Sequence, residues 1–306
     1  MPEPILAPAH QKPLKEAENA WRAFGWMLLS CLLFTGMTIV VKVMPTGLPI
    51  FEMVFFRQLI SFAIVFPLAW RKRPDFFPAT GKSILFMRGL AGFVGLACFF
   101  FTIRQLPLAA ANMFVQLAPL FVLILSVIFL QEKIRAQIWL WFFLAFLGLC
   151  LVLGIDFGTG SMHWPWLPVI VGTLGSCFSA GAYLAVRAAT ARFSNSLILT
   201  YFSVTGAVLA VPPMLWYGYR VPSAAQWAGL FGIGVFATLA QLAMTEAYRH
   251  ARASRVAPMG LMSVVVSSIV GWLTFQEVLN TAQWVGLGLI VLGVSEVAAQ
   301  GSKKTK

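Results

Sequence analysis

Two arginines sit where a charge is costly. Arg57 and Arg88 each fall inside an apolar run long enough to cross a bilayer. An ionised side chain at the centre of such a run costs about 2.5–3.5 kcal/mol on insertion scales, so it marks a functional position by default. A guanidinium presents five donors in a planar fork that matches a carboxylate or a phosphate. The chemistry open to this pair is to hold the charge of an anionic or zwitterionic solute. The structural alternative is that they snorkel to an interface or cap carbonyls between helices. Uncharged polar residues join them in mid-run. Asn112 and Gln116 are four apart and share one helical face, as do Ser179 and Tyr183. Gln241 and Ser263 stand in later runs. These residues suit a polar cavity lining, or interhelical bonds worth about 0.6 kcal/mol each.

Ionisable residues near the ends of the runs suggest gates or struts. Lys42 and Glu52 flank the first outer link and suit an ion pair. Glu246 could titrate and couple transport to protons, yet Arg249, one turn on, offers a plain i,i+3 pair. Glu132 and Glu277 close the fourth and ninth runs, where a carboxylate can serve a gate or bond the backbone groups that begin the next helix. Enzyme chemistry finds no footing. The two aspartates, Asp75 and Asp156, lie in loops, and His10, His163 and His250 lie outside the run centres. Gly81-Lys82-Ser83 resembles the end of a phosphate-binding loop, but Phe76 stands where the motif needs glycine. Cys31, Cys98, Cys150 and Cys177 sit in apolar runs without CxxC spacing and read as small hydrophobes. No catalytic residue, metal site or cofactor is expected, and no nucleic-acid partner.

The elements that must position these residues follow from composition. The 306 residues are 59% hydrophobic and 10% charged, with a mean hydropathy of +0.84. A soluble domain carries about 25% charged residues. The pattern is that of an all-α membrane protein with ten spans, at 22–44, 50–69, 83–104, 107–130, 136–154, 165–186, 197–217, 225–248, 254–275 and 281–299. The first run is longer than the ~7–15 residues of a signal-peptide core, so residues 1–20 read as an uncleaved polar tail. Residues 300–306 form a basic tail. With the N-terminus in the cytoplasm, Lys42, Arg57 and Arg88 lie within spans, Arg104 and Arg220 face outward, and the other 17 of the 22 Lys and Arg face the cytoplasm. That bias meets the positive-inside rule and places both termini inside, in a bacterial inner membrane.

The chain repeats with an offset of 145. Phe129-Leu130-Gln131-Glu132 matches Thr274-Phe275-Gln276-Glu277; Arg104 pairs with Arg249, Trp139 with Trp284, and Gly148 with Gly293. Each half, 21–155 and 160–299, holds five spans. An odd number reverses the second half, so the two form inverted repeats, an architecture typical of secondary transporters with a midplane site. Gly286, Gly288 and Gly293 in span 10 suit packing within the chain or a homodimer face.

Ordered motifs along nearly the whole chain resemble the drug/metabolite transporter superfamily, of the EamA type. They are Pro49-x-x-Glu52-x-x-x-x-Arg57, Arg88-Gly89-x-x-Gly92, Leu106-Pro107-Leu108-Ala109-Ala110-Ala111-Asn112, Ala118-Pro119-Leu120 and Leu130-Gln131-Glu132. The second half adds Ala247-Tyr248-Arg249-x-Ala251, Val256-Ala257-Pro258, Gly271-Trp272 and Phe275-Gln276-Glu277. Gln131 and Gln276 replace a glycine common in the family. Val264 stands where a repeat of Pro119 would fall, so the halves are expected to bend differently. The resemblance implies cargo held between the halves near spans 1, 3, 4, 6, 8 and 9, with Pro119 and Pro258 as structural residues. It points to a secondary transporter of a small polar or amphipathic metabolite, amino-acid-like or another organic solute, working by alternating access as an exporter or exchanger. The alternative is a flippase or a component of a lipid-linked sugar pathway. Substrate, coupling ion, direction and oligomeric state are not written in the sequence.

Overall fold

A backbone in hydrocarbon must satisfy its own polar groups, and these apolar runs do so as helices. The computed structural model describes residues 20–45, 47–71, 80–106, 114–154, 165–276 and 278–300. They form α1 (Ala20–Val43), α2 (Ile50–Trp70), α3 (Lys82–Gln105), α4 (Ala118–Phe129), α5 (Ala136–Val152), α6 (Trp166–Thr190), α7 (Asn195–Tyr217), α8 (Ala224–His250), α9a (Ala253–Met259), α9b (Met262–Phe275) and α10 (Thr281–Gln300). Among the described residues, eight stretches are long and apolar enough to cross a membrane, with α9a and α9b counted as one span. Residues 114–129 and α5 are shorter apolar helices, which brings the spans to ten.

Packing follows the inverted repeat. The strongest helix pairs are α3 with α6, α1 with α8, α2 with α7, and α5 with α10. An exchange of the two halves turns the first pair into the second and leaves the last two unchanged. Glycine sets the closest approach. A Cβ on Gly148 would lie 2.5 Å from the Gly286 carbonyl, and one on Gly293 would lie 2.5 Å from that of Trp141. Gly286 and Gly293 are thus used inside the chain, whereas Gly288 has nothing within 4 Å. The four cysteines are unpaired.

The expectation that the halves bend differently is overturned. A helical turn at residues 114–116 precedes α4, with Leu117 N–H bonded to Phe114 O and Leu120 N–H to Leu117 O. Span 9 breaks at Gly260 and Leu261, again through i→i−3 bonds: Leu261 N–H to Pro258 O, and Ser263 N–H to Gly260 O. Pro119 follows the first break and Pro258 precedes the second. A proline lacks the amide that a helix needs and clashes with the preceding turn. Pro119 therefore accounts for the break before it, whereas the break in span 9 follows Pro258 and falls at Gly260, a poor helix former, so the missing Pro119 equivalent at Val264 does not straighten span 9.

Candidate functional site

Arg57 and Arg88 converge. By helical rise, Arg57 lies about 10 Å from the start of α2 and Arg88 about 9 Å from the start of α3. The two helices run in opposite directions, and Arg88 is buried while Arg57 is half-buried. Each guanidinium lies within electrostatic reach of Tyr183, and Arg88 within reach of Arg57 and Tyr248. Arg88 is only 3% exposed. Its Nη2 donates to Gln241 Oε1 at 3.1 Å, and its guanidinium lies 4.0 Å from the Phe202 ring centroid. Such a contact contributes about 0.5–2 kcal/mol. Gly92 makes the room: a Cβ there would sit 2.5 Å from Arg88 Nη1 and 3.1 Å from the Phe202 ring. Arg57 Nε is sealed from solvent and bonded to nothing among the described residues. Tyr183 stacks on Tyr248 with ring centroids 6.0 Å apart and planes tilted by 18°.

Other expected site residues lie apart from this centre. Gln116 Nε2 donates to Ser263 Oγ at 3.3 Å, joining the two broken spans. Ser179 lines a small cleft with Gly95, Phe99, Thr102 and Phe114. Glu132 accepts from the amides of Ala253 and Ser254, both at 3.0 Å, and from Ser254 Oγ at 2.5 Å. A carboxylate of the first half thus caps helix α9a of the second, where it also meets the positive end of the helix dipole. Glu246 accepts from Asn195 Nδ2, lies 3.5 Å from Arg249 Nε and 3.2 Å from His250 Nε2. Arg249 also donates to the carbonyls of Thr190 and Phe193, while Arg187 returns a bond to Tyr248 O. The plain ion pair for Glu246 is therefore present, inside a wider clamp that ties α6 to α8.

Glu52 is fully buried; its Oε2 accepts the Arg220 amide at 3.1 Å, while Oε1 has no partner. Lys42 stands exposed in the last turn of α1. Asn112 and Glu277 lie outside the described residues. Two ring residues of the centre, Phe202 and Tyr248, escape a search for polar atoms in apolar runs. Phe202 carried a signal nonetheless: it stands 145 residues after Arg57, at the equivalent place in the second half. Tyr248 sits inside a motif that carried the family resemblance.

Two stretches, residues 21–154 and 166–298, match the model of the EamA-like transporter family. The chain belongs to that family. It is similar to the pseudopaline exporter CntI of Pseudomonas aeruginosa, with 32% identity over 90% of this chain and 95% of that one. The S-adenosylmethionine uptake transporter of Rickettsia felis is 26% identical over 83% of this chain and 84% of its own. A riboflavin transporter of Brucella anthropi is 23% identical over 80% and 87%. One solved crystal structure superimposes with a TM-score of 0.78 over 92% of this chain and 97% of that one, at 15% identity, and shares the fold. Family members and named relatives are small-molecule transporters rather than enzymes. This EamA-like chain is an integral membrane protein of that kind.

Proposed function

We propose that the chain is a secondary transporter that exports or exchanges a small polar or amphipathic metabolite bearing an acidic group. One observation carries this reading. Two guanidiniums lie within electrostatic reach of one another inside the bundle, and the described carboxylates are engaged or placed elsewhere. Glu52 accepts the Arg220 amide, Glu132 caps α9a, Glu246 joins the Asn195–Arg249 clamp, and Glu296 is exposed on α10. Two like charges without an acid between them raise each other's energy, and an anion placed there relieves both. Arg57, Tyr183 and Gln241 each keep part of their surface uncovered, as cavity-lining groups do.

In this reading the halves 21–155 and 160–299 rock about the centre by alternating access. The Glu132 bond to α9a is one contact that such rocking must strain or keep. The positive-inside bias puts both termini in the cytoplasm of a bacterial inner membrane. Export is favoured by the similarity to a protein named as an exporter. The relatives named for S-adenosylmethionine and riboflavin indicate that cargo varies on this scaffold.

The test is an efflux screen. Liposomes holding the purified protein are preloaded with a mixed metabolite extract, and losses are followed by mass spectrometry beside empty liposomes. Selective loss of a few acidic compounds is expected. Arg88→Gln should abolish that loss, and Arg88→Lys should retain part of it. Efflux of neutral or cationic compounds that is indifferent to Arg88→Gln in folded protein would refute the reading.

A further inference from the structure

The two arginines are held very differently. Arg88 is fixed from three sides. Its Nη2 donates to Gln241 Oε1 at 3.1 Å, and the Phe202 ring centroid lies 4.0 Å from its guanidinium. Gly92 lies against Nη1, where a Cβ would come within 2.5 Å. Gln241 stands on α8 and Phe202 on α7, so the second half sets the pose of a side chain from the first. Arg57 has no such hold: it makes no hydrogen bond among the described residues. A buried guanidinium is usually fixed by a carboxylate, which also neutralises it. Among the described residues Arg88 has an amide in that place instead. Arginine offers only donors, so the amide oxygen must face it and the amide NH₂ must point away. Gln241 is half-buried, and its Nε2 is neither sealed nor bonded among the described residues. A glutamate of the same shape would accept the same bond and cancel the charge.

We infer that Gln241 is the positioning residue for Arg88, and that its neutrality sets the preference of the site for acidic cargo. The inference rests on the anionic reading above and names the residue that tunes it. The amide aims the guanidinium and leaves its charge for the cargo. A side chain held in advance needs no ordering when the cargo arrives, so the hold favours binding. The Phe202 face adds to the hold without adding a charge. Gln241 therefore acts through Arg88 rather than on the cargo. Its removal should matter only while Arg88 is there to be aimed.

The experiment uses the full chain in lipid nanodiscs and two probes of similar size and opposite charge, naphthalene-2-carboxylate and 2-naphthylmethylammonium. Binding is measured by equilibrium dialysis, with uptake by empty nanodiscs subtracted. The unaltered chain should prefer the carboxylate. Gln241→Glu keeps shape and hydrogen bond, and should weaken the carboxylate about tenfold or more while narrowing its preference over the ammonium. Gln241→Leu loses the hold but not the charge. It should weaken the carboxylate about fivefold and keep the preference. On an Arg88→Gln background, Gln241→Leu should change carboxylate binding by less than about twofold, because the two residues act as one unit. Full carboxylate affinity in Gln241→Glu or in Gln241→Leu would overturn this inference and leave the anionic reading standing. So would a loss from Gln241→Leu that persists on the Arg88→Gln background, since Gln241 would then serve packing or touch the cargo itself. An unaltered chain that binds the carboxylate no better than the ammonium would overturn both. Size-exclusion profile and thermal unfolding of each variant separate lost binding from lost fold.

Discussion

The two halves of the bundle agree in their backbone and differ in their chemistry. At equivalent places, Gln131 and Gln276 both take a positive φ, 53° and 55°. Gly148 and Gly293 each lie hard against a carbonyl of the opposite half. Both broken spans loosen through i→i−3 bonds. The centre shows the reverse. The first half sends in the guanidiniums of α2 and α3. The second sends in the rings of α6, α7 and α8 with the Gln241 amide. Where the first half has Arg57 the second has Phe202, and where the first has Arg88 the second has buried Ile233. An inverted repeat thus fixes the scaffold twice and leaves each half free to supply a different pole of the site.

The sharpest way to break that comparison is to alter one pole at a time. Arg88→Gln removes a charge from the first half and should lower efflux of acidic cargo by about 100-fold, since hydrogen bonds to charged groups contribute roughly 1.5–3 kcal/mol each. Phe202→Leu alters the second half and should lower the rate only about fivefold, the scale of a lost ring contact of about 1 kcal/mol. Measured as initial efflux rates from liposomes, similar losses for the two variants would mean that the halves do not divide the chemistry.

Next in size is a contact that crosses between the halves. Glu132→Ala strips α9a of three accepted hydrogen bonds. Loss of a charged cap and its bonds should destabilise by about 2–3 kcal/mol. Ser254→Ala removes one of the three and should cost about 1 kcal/mol. Denaturant unfolding in detergent reads both. An unchanged midpoint for Glu132→Ala would mean that the halves hold together without this link.

The α5–α10 seam tests the symmetry itself. Gly148→Val and Gly293→Val press a branched side chain against equivalent carbonyls, and overpacking of this kind costs about 1–3 kcal/mol. The two losses should match. Gly288→Val should leave stability unchanged, because nothing lies within 4 Å of a Cβ there. If Gly288 faces a second copy, the same variant would instead shift the oligomeric state seen by light scattering. Unequal losses at Gly148 and Gly293 would show that the seam is less symmetric than its backbone.

What could be read from the sequence divides along the same line. Ten spans and the inverted repeat rest on hydropathy and spacing, which act through the backbone and the bilayer, whereas the span-10 glycines left packing within the chain and a homodimer face both open. Arg57 and Arg88 were legible because a charge in an apolar run has one explanation to find. Their convergence was not, since depth counted from opposite ends of two helices says nothing about where long side chains meet. Tyr248 and Phe202 were hidden because a ring in a chain with 27 phenylalanines looks like lipid-facing bulk. The bend of span 9 was misjudged for a physical reason: a glycine, Gly260, interrupts the ladder where only a proline was looked for.

The smallest expected effect also bears most directly on the shared backbone. Gln131 follows α4 with φ 53°, and Glu132 N–H then reaches back to Ser126 O at 3.1 Å. This left-handed turn aims the Glu132 carboxylate at α9a. Gln276 ends α9b in the same conformation, its amide bonded to Gly271 O. A side chain in that region crowds the following carbonyl, and glycine does not. The gain on exchange is reduced by the extra freedom glycine has in the unfolded chain. Gln131→Gly and Gln276→Gly should therefore each stabilise by about 0.5–1 kcal/mol, a rise of about 1–3 °C in unfolding temperature. Equal gains would mean that each glutamine is tolerated strain in one of two matching turns. A loss at Gln131 alone would mean that its stiffness is needed to hold the Glu132 cap, and would make this turn the point at which the two backbones part.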